Sequence, residues 1–497
     1  MTDHPSADIV PKATFAPLSR TGVLGGLGKR QIILLIIAVA PTALRMFGGN
    51  LGGAFQAFFL WTLPVGAVAV CSYRGRAVLS ILCVQGIFLI RKLGGQTVAI
   101  PSLRAKSAPD QIAIPGAVGE RTRVLPLLDV EYGNNACLVW DANPKNPTAT
   151  AVILVETEGW MMADDQVKAN RVYATNELCR QIAQVSGVIR VGQWARTYEA
   201  ARDQLPAPDL IDDPSPLGDF TRVEYGQMLE RTQMTSTLRR DVLIGITISK
   251  KKALADIESH GGGLEGLSVV LSNRVERLMH MMPDCGVLTT NARWLGAGGV
   301  RAAIRLAFDP AAAAWLEDNG WEHPHDTPLV TYVDEARDYL VTNSGVHRSW
   351  WIERWPSTPA RAGVMTELVA GGTIPRTVCQ IWEPFDLHKS EKNLNQLRVA
   401  RETAAKTNKM LGRAESLVSE VEGDDVETRH MEMQAGYGDV SYSGWVTVHA
   451  RTVDELDQSD MWVRQAASGM NVNLCRGRQL ATFVTAALPL GFRDGDE

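Results

Sequence analysis

The chain has 497 residues, of which 45% are hydrophobic and 21% charged, with a formal net charge of −5. These proportions exclude a wholly disordered, collagen-like or polytopic transporter chain, and a mean hydropathy of −0.06 limits any membrane anchor to a small part of the length. The acidic balance argues against a dedicated nucleic-acid binder, so we expect no direct sequence-specific contact with DNA or RNA.

Two apolar stretches follow a polar amino-terminal segment, residues 1–30. The first, residues 31–47, carries one charge near its end, Arg45, and the second, residues 51–71, carries none. A bilayer core takes about 20 apolar helical residues, with a lower limit of about 17, so the pair predicts a two-helix transmembrane hairpin. A signal peptide is the alternative for the first stretch, and buried soluble helices are the alternative for both. The polar leader and the immediate second stretch fit a signal peptide poorly.

Basic residues flank the hairpin on both sides, whereas its short connection is preceded by Arg45 alone. By the positive-inside rule, both ends lie in the cytoplasm, and with them the bulk of a protein of the cell (inner) membrane. A third apolar run, residues 77–90, is too short to span, and we interpret it as an interfacial or buried elbow helix. Hairpin and elbow together make up residues 31–95. If residues 77–90 did span, the rest of the chain would change sides.

A polar stretch with three prolines, residues 96–124, is interpreted as a linker along the membrane surface. Residues 125–310 then alternate between strand and helix patterns, which predicts a first α+β domain. Strands are predicted at 149–156, 187–193, 241–249 and 286–290, and helices at 164–184, 220–239, 265–282 and 291–308. Consecutive strands among helices favour antiparallel sheets, with a ferredoxin-like βαββαβ unit as the simplest form.

A connector, residues 311–345, leads to a second predicted α+β domain, residues 346–497, also taken as ferredoxin-like. Strands are predicted at 349–355, 377–383, 444–450 and 471–475, and helices at 360–368 and 453–468. Between them, residues 390–420 are rich in charged and amide side chains and contain no proline. This pattern predicts a long charged helix, which is either a solvated face or a surface for a partner.

A glycine-rich stretch from Gly22 to Arg30 superficially resembles a phosphate-binding P-loop. Its spacing does not fit GxxxxGK(S/T), and Arg30 stands where a hydroxyl residue is needed. An apolar stretch follows it instead of a βα unit. We therefore interpret it as a linker before the membrane, and we expect no ATP hydrolysis.

Seven cysteines are spread along the chain without any CxxC pair of the kind that binds zinc or exchanges electrons. An odd number at wide spacing does not suit a secreted disulfide framework. We expect reduced thiols that fill core space in a reducing compartment, and we predict neither a metal nor a cofactor.

The remaining polar motifs have an ordinary structural interpretation beside a chemical one. His323, His325 and Asp326 could bind a metal, but the intervening proline favours an exposed loop. Glu156 and Glu158 have the spacing of side chains on one face of a strand, which suits acid–base chemistry or, as we favour, a solvated strand end. No catalytic, cofactor-binding or metal-binding residue is therefore assigned.

Five tryptophans form a predicted aromatic cluster, for which core packing and an interface hot spot are the two interpretations. They are Trp321, Trp350, Trp351, Trp355 and Trp382.

Four pieces of the sequence together resemble a known family. They are the hairpin with its basic flanks, the segment Tyr132–Asp141 ending in LVWD, the segment Leu306–Pro310 (LAFDP), and the closing segment Phe483–Gly491. The chain resembles integral membrane proteins of actinobacterial conjugative elements, which are encoded beside a type IV secretion-like DNA transfer apparatus. The hairpin and elbow also resemble the PrgI-type inner-membrane subunit. The closing segment is similar to the amino-terminal domain of the VirB-type secretion ATPase, whose Walker-bearing motor domain has no counterpart here.

The resemblance implies a non-catalytic membrane scaffold that docks a separate secretion ATPase or coupling protein. Other channel subunits and further copies of the chain are the expected partners. One alternative is an EccE-like component of a type VII secretion system, whose soluble part would lie outside the cytoplasm. A second alternative is a membrane-tethered enzyme with an unrecognised site.

Overall fold

The computed structural model describes residues 12–13, 29–49, 51–73, 76–100, 108–128, 135–160, 162–199, 218–224, 238–356, 360–361, 363–384 and 440–493. The predicted α+β class is confirmed, because helices surround one antiparallel sheet of 13 strands. The predicted charged helix at residues 390–420 lies outside the described residues, and so does most of the glycine-rich stretch before the membrane.

The bounds of the elements are as follows. The strands are β1 (Lys12–Ala13), β2 (Ser72–Tyr73), β3 (Arg76–Ala77), β4 (Val98–Ala99), β5 (Thr122–Pro126), β6 (Cys137–Asp141), β7 (Thr148–Thr157), β8 (Val188–Glu199), β9 (Leu238–Ser249), β10 (Val287–Trp294), β11 (Val333–Glu335), β12 (Leu340–Thr342), β13 (Val346–Arg354), β14 (Ala360–Arg361), β15 (Arg376–Pro384), β16 (Val440–Ala450) and β17 (Asn471–Leu474). The helices are α1 (Lys29–Phe47), α2 (Leu51–Ala57), α3 (Leu63–Val70), α4 (Val78–Leu93), α5 (Ala117–Arg121), α6 (Asp165–Gln184), α7 (Leu254–Ser259), α8 (Gly263–Met279), α9 (Ala297–Phe308), α10 (Ala313–Asp318), α11 (Thr366–Ala370), α12 (Val453–Ala466) and α13 (Gln479–Ala487).

A π-helical turn, Phe58–Thr62, joins α2 and α3 into one continuous helix. This helix, Leu51–Val70, is long and apolar enough to cross a membrane, whereas the apolar stretch Gln31–Phe47 in α1 is shorter. Pro41 interrupts α1 and has no N–H to offer the carbonyl of Ile37, four residues earlier. The indole nitrogen of Trp61 lies 3.4 Å from that carbonyl oxygen and donates to it, so the facing helix replaces the missing bond.

The large sheet is built from two groups of strands with the same order. In the first group the order is β10-β7-β9-β8, with α6 between β7 and β8 and with α7 and α8 between β9 and β10. In the second group the order is β17-β13-β16-β15, with α11 and α12 in the corresponding places. A strand hairpin precedes each group (β5–β6 and β11–β12), and a helix follows each one (α9 and α13). The chain therefore repeats one arrangement of elements.

The two groups join where β8 pairs antiparallel with β15, and Gln193 lies opposite Gln380 near the middle of this pairing. Because the pairing strands occupy the same place in their groups, an approximate two-fold axis passes between these glutamines. The predicted first and second α+β domains therefore share one continuous sheet.

Matching hydroxyl pairs support this symmetry at the side-chain level. The hydroxyls of Thr150 and Thr247 lie 2.9 Å apart on the neighbouring strands β7 and β9. Those of Ser349 and Thr447 lie 2.9 Å apart on β13 and β16, at the corresponding register positions. All four residues are buried, so each hydroxyl has its hydrogen-bond partner within the protein.

The sheet is covered on both faces. Alternate residues of β7 point to opposite sides, so Ile153 packs against α6 and α8, whereas Val152 packs against α9. In the second group, Trp350 likewise packs against α12. The helices α9 and α13 meet across the approximate axis, where the ring centroids of Phe308 and Phe483 lie 4.8 Å apart.

Several predicted boundaries are wrong. Residues 291–294 finish β10 instead of starting a helix, because Arg293 and Trp294 pair with β7, and residues 238–239 already belong to β9. The predicted helix at 360–368 is a short strand, β14, followed by the short helix α11. The predicted linker, residues 96–124, holds β4, α5 and most of β5, so much of it is part of the folded body.

Candidate functional site

The histidine motif does not form a site. His323 is only 2% exposed, its Nδ1 lies 2.9 Å from the carbonyl oxygen of Pro324, and its ring packs against Trp315. His325 and Asp326 point to solvent. Burial lowers the pKa of His323, which keeps the imidazole neutral. The predicted exposed loop is therefore wrong for His323, and the three side chains do not converge on a common point.

The two carboxylates at the end of β7 bind separate partners. Glu158 forms an ion pair with Arg171, and Glu156 accepts a hydrogen bond of 2.8 Å from the amide of Asn291. These contacts match a solvated strand end. In the part of the chain that the structure describes, no group of three or more His, Cys, Asp or Glu side chains is placed to hold a metal ion.

The five tryptophans do not form one cluster, because neighbouring residues of a strand point to opposite faces of the sheet. Trp350 and Trp355 belong to the core beneath α12, whereas Trp351 packs against the core beneath α9 and α13. Trp382 packs against the core of the first strand group, and Trp321 against a small cluster beside α10. The aromatic side chains therefore stabilise several cores.

A small cavity lies at the junction of the two strand groups, beneath α9 and α13. Its volume is about 30 Å³. Its lining includes four basic side chains, which come from β8, β13, β15 and β16. They are Arg196, His347, Arg376 and His449. We call this group the junction site.

Two histidines face each other at the junction site. His347 and His449 are directly opposite on β13 and β16, and their ring centroids lie 4.7 Å apart. The Nε2 of His347 lies 3.0 Å from the hydroxyl oxygen of Thr342. The Nδ1 of His449 is buried and has no hydrogen-bond partner among the described residues. Burial lowers the pKa of both rings, that of His449 to about 4, so both are neutral at pH 7.

Arg196 joins the junction site to a polar network near the start of β9. Its guanidinium donates to the carbonyl of Ala303 at 3.1 Å and lies 3.4 Å from the carboxylate of Asp241. Tyr198 donates to the same carboxylate at 2.7 Å, and burial is the main reason that its pKa is raised. The Nε of Arg196 is buried without a partner among the described residues. A cavity of this size has room for roughly two waters at about 10–15 Å³ each, which is too small for an organic substrate.

The histidine pair should make folding stability depend on pH. Because folding lowers the pKa of His449 from 6.5 to about 4, the unfolded chain takes up a proton first as the pH falls. The stability contributed by the neutral ring is complete above about pH 6.5 and is lost as the pH falls towards 4. We expect a loss of about 2 kcal/mol between pH 7 and pH 5 from this group.

Chemical unfolding of the detergent-solubilised chain at pH 7 and pH 5 measures this loss. His449→Gln should remove most of this part of the pH dependence. His280→Gln, at a side chain that is 78% exposed, should leave it unchanged. An equal pH dependence in both variants would contradict the assignment.

The junction site was not predicted from the sequence. The only signal for His347 and His449 is their position within alternating strand patterns, where a histidine could face either side. Which strands meet at the junction decides that both are buried, and sequence spacing does not reveal this pairing. No protein-family model matches the chain, and a comparison with curated proteins gives no significant match.

Proposed function

We propose that the chain is a membrane-anchored structural subunit, held by a transmembrane hairpin of α1 and the helix Leu51–Val70. The observation that carries the proposal is the antiparallel packing of these helices along their whole length. At one end Gln31 donates to the carbonyl of Ala69 at 2.8 Å, and at the other end Arg45 donates to the carbonyl of Gly53 at 3.0 Å. The shorter α1 therefore covers the same distance as the longer helix.

The outer surface of this helix pair supports a lipid environment. Large apolar side chains on both helices are more than half exposed, among them Ile36, Leu44, Phe55 and Leu60. In water such a surface would be costly, whereas in a bilayer it is matched by the acyl chains. Arg45 stands near the end of α1, from which its side chain can reach the headgroup region.

We further propose that the α+β body is a cytoplasmic platform of a conjugative, type IV-like secretion apparatus. The basic flanks of the hairpin support the orientation, and the family resemblance supports the apparatus. Within this proposal each strand group is a ferredoxin-like unit. When the four strands of a group are numbered in chain order, they lie side by side in the sheet in the order 4-1-3-2, as in that fold. The continuous two-unit sheet makes the α+β body a rigid support for a secretion ATPase or coupling protein, with the charged segment 390–420 as the docking element.

Topology is the experiment that tests the proposal. Cells bearing a Gly48→Cys variant, with Cys71 and Cys83 replaced by serine, are treated with a membrane-impermeant maleimide. A second variant keeps Cys71 as its one exposed thiol. We expect labelling of position 48 from outside and of Cys71 only after lysis. The reverse pattern would place the soluble part outside, in agreement with the EccE-like alternative, and would contradict docking of a cytoplasmic motor.

Partner recruitment is tested separately by deleting residues 390–420 and isolating the membrane complex with its ATPase. Loss of the ATPase from an otherwise intact complex would support the segment as the docking element. Undiminished co-purification would exclude this role for the segment and leave the anchor unaffected.

A further inference from the structure

The helix α4 connects the apolar helices to the α+β body, and its inner face is seated on that body. Phe88 is buried, and Gln85 donates to the carbonyl of Arg476 at 3.4 Å. Gly477 has a φ of +74° and lies so close that a Cβ there would be 3.3 Å from Phe88. The close approach fixes which side of α4 faces the protein.

An ion pair secures the carboxyl-terminal end of α4. The guanidinium of Arg91 lies 2.9 Å from the carboxylate of Glu335, whose side chain is fully buried. The second oxygen of Glu335 accepts the backbone N–H of Leu480 at 3.1 Å, so the pair links α4 to β11 and α13. Just after α4, the chain adds β4 to the edge of the large sheet. The helix therefore moves with the α+β body.

The opposite face of α4 is apolar throughout. With 100° between successive residues, the side chains that point away from Phe88 contain no charge, amide or hydroxyl. Five of them are large and more than half exposed, namely Leu82, Ile87, Leu89, Ile90 and Leu93. Cys83 lies on the same face and is exposed. A helix that faced water on this side would carry polar residues there.

The position of α4 identifies what covers this face. The helix begins eight residues after the apolar helix ends at Val70, and it contacts α3. With 16 residues it is about 24 Å long at 1.5 Å per residue, too short to cross a bilayer core of about 30 Å. Lys92 is exposed in its last turn, where a headgroup phosphate would meet it, whereas Arg91 is engaged by Glu335.

We propose that the outer face of α4 lies in the boundary between acyl chains and headgroups of an anionic phospholipid bilayer. This inference rests on the proposed anchoring and adds a second attachment that belongs to the α+β body. The hairpin alone would attach the body to the membrane at one place, whereas α4 as a second attachment fixes the distance and the orientation of the sheet relative to the membrane.

Depth-dependent quenching tests this proposal on the full chain in nanodiscs of phosphatidylcholine and phosphatidylglycerol. A fluorophore is attached to Cys83 in a variant without other reactive thiols. Matched variants carry the fluorophore at Phe59→Cys, within the apolar helix, and at Met461→Cys, which is 75% exposed on α12. We expect lipids brominated near the headgroup to quench the fluorophore on Cys83 at least about twofold more strongly than the fluorophore at position 461, as for an interfacial helix. Leu89→Gln combined with Ile90→Gln should reduce this difference.

The other outcomes separate the inference from the anchoring. Iodide quenches fluorophores that are in water. If it quenches the fluorophore at Cys83 as strongly as the one at position 461, while the fluorophore at position 59 stays accessible to lipid, the outer face of α4 is in water and the inference is wrong. If neither iodide nor brominated lipid quenches Cys83, protein covers the face, which also overturns the lipid assignment. Water accessibility at Phe59→Cys would instead contradict the transmembrane hairpin itself.

Discussion

Replacing Trp194 by alanine is expected to lower the free energy of unfolding by about 3–5 kcal/mol, the range for a large buried aromatic side chain. The side chain is 0% exposed, and its indole N–H donates to the carbonyl of Thr485 in α13 at 3.2 Å. The ring occupies space left open by two glycines, since a Cβ at Gly192 would lie 2.2 Å from it and one at Gly245 2.8 Å from it. Alanine would leave a cavity beneath the junction of the two strand groups, and the carbonyl of Thr485 would lose its indole donor while keeping the thiol of Cys379 at 3.7 Å.

Denaturant unfolding of the detergent-solubilised chain, followed by far-ultraviolet circular dichroism, measures the effect. Trp315→Ala is the matched control, because the same atoms are removed from a side chain that is 41% exposed. Because its ring still packs on His323, the control should lose about 1–2 kcal/mol, less than Trp194→Ala. Similar losses in the two variants would show that Trp194 does not hold the junction together.

Gly491→Ala is expected to destabilise the fold by about 2–5 kcal/mol, the sum of a left-handed backbone cost and local overpacking. Gly491 has a φ of +75°, and a Cβ there would lie 2.3 Å from the hydroxyl oxygen of Thr247 and 2.5 Å from that of Thr150. These hydroxyls are bonded to each other within the sheet, so neither can move away without losing its partner.

The control for this substitution is Gly469→Ala. Gly469 has a similar φ of +84°, but no atom lies within 4 Å of the position that a Cβ would take. It should therefore lose only the backbone contribution of about 1–2 kcal/mol. The difference between the two variants, measured in the same unfolding experiment, isolates the steric contact. Equal losses would mean that the chain end carrying Gly491 is not packed on the threonine pair.

Much of the local structure could be predicted, because some segments have strong patterns of their own. The apolar run predicted at 149–156 is β7 to within one residue at each end, and the helix predicted at 164–184 is α6. The prediction failed at 291–294, where pairing with β7 overrides the local preference. Pairing between distant segments decides such cases, and a local pattern does not contain it.

The single shared sheet and the repeated arrangement of elements could not be predicted from the sequence either. The traces of the repeat are short, such as Val-Gly-Gln at 191–193 and Val-Cys-Gln at 378–380, which occupy equivalent places on β8 and β15. Long connections of different length separate the corresponding strands, so no fixed spacing recurs. The burial of His323 could not be predicted either. Its ring packs against Trp315 in the neighbouring helix α10, and the polar residues around it in the sequence do not indicate this contact.

The pairing of β8 with β15 has a consequence for assembly. Without its counterpart, each strand group would end in an open edge, a template for pairing with other chains. Since both edges belong to one polypeptide, they meet as an intramolecular event, at an effective concentration that the connecting chain sets instead of the protein concentration in the cell. The pairing of β8 with β15 is therefore insensitive to expression level. Each of these two edges is occupied by the other before a strand of another chain can pair with it.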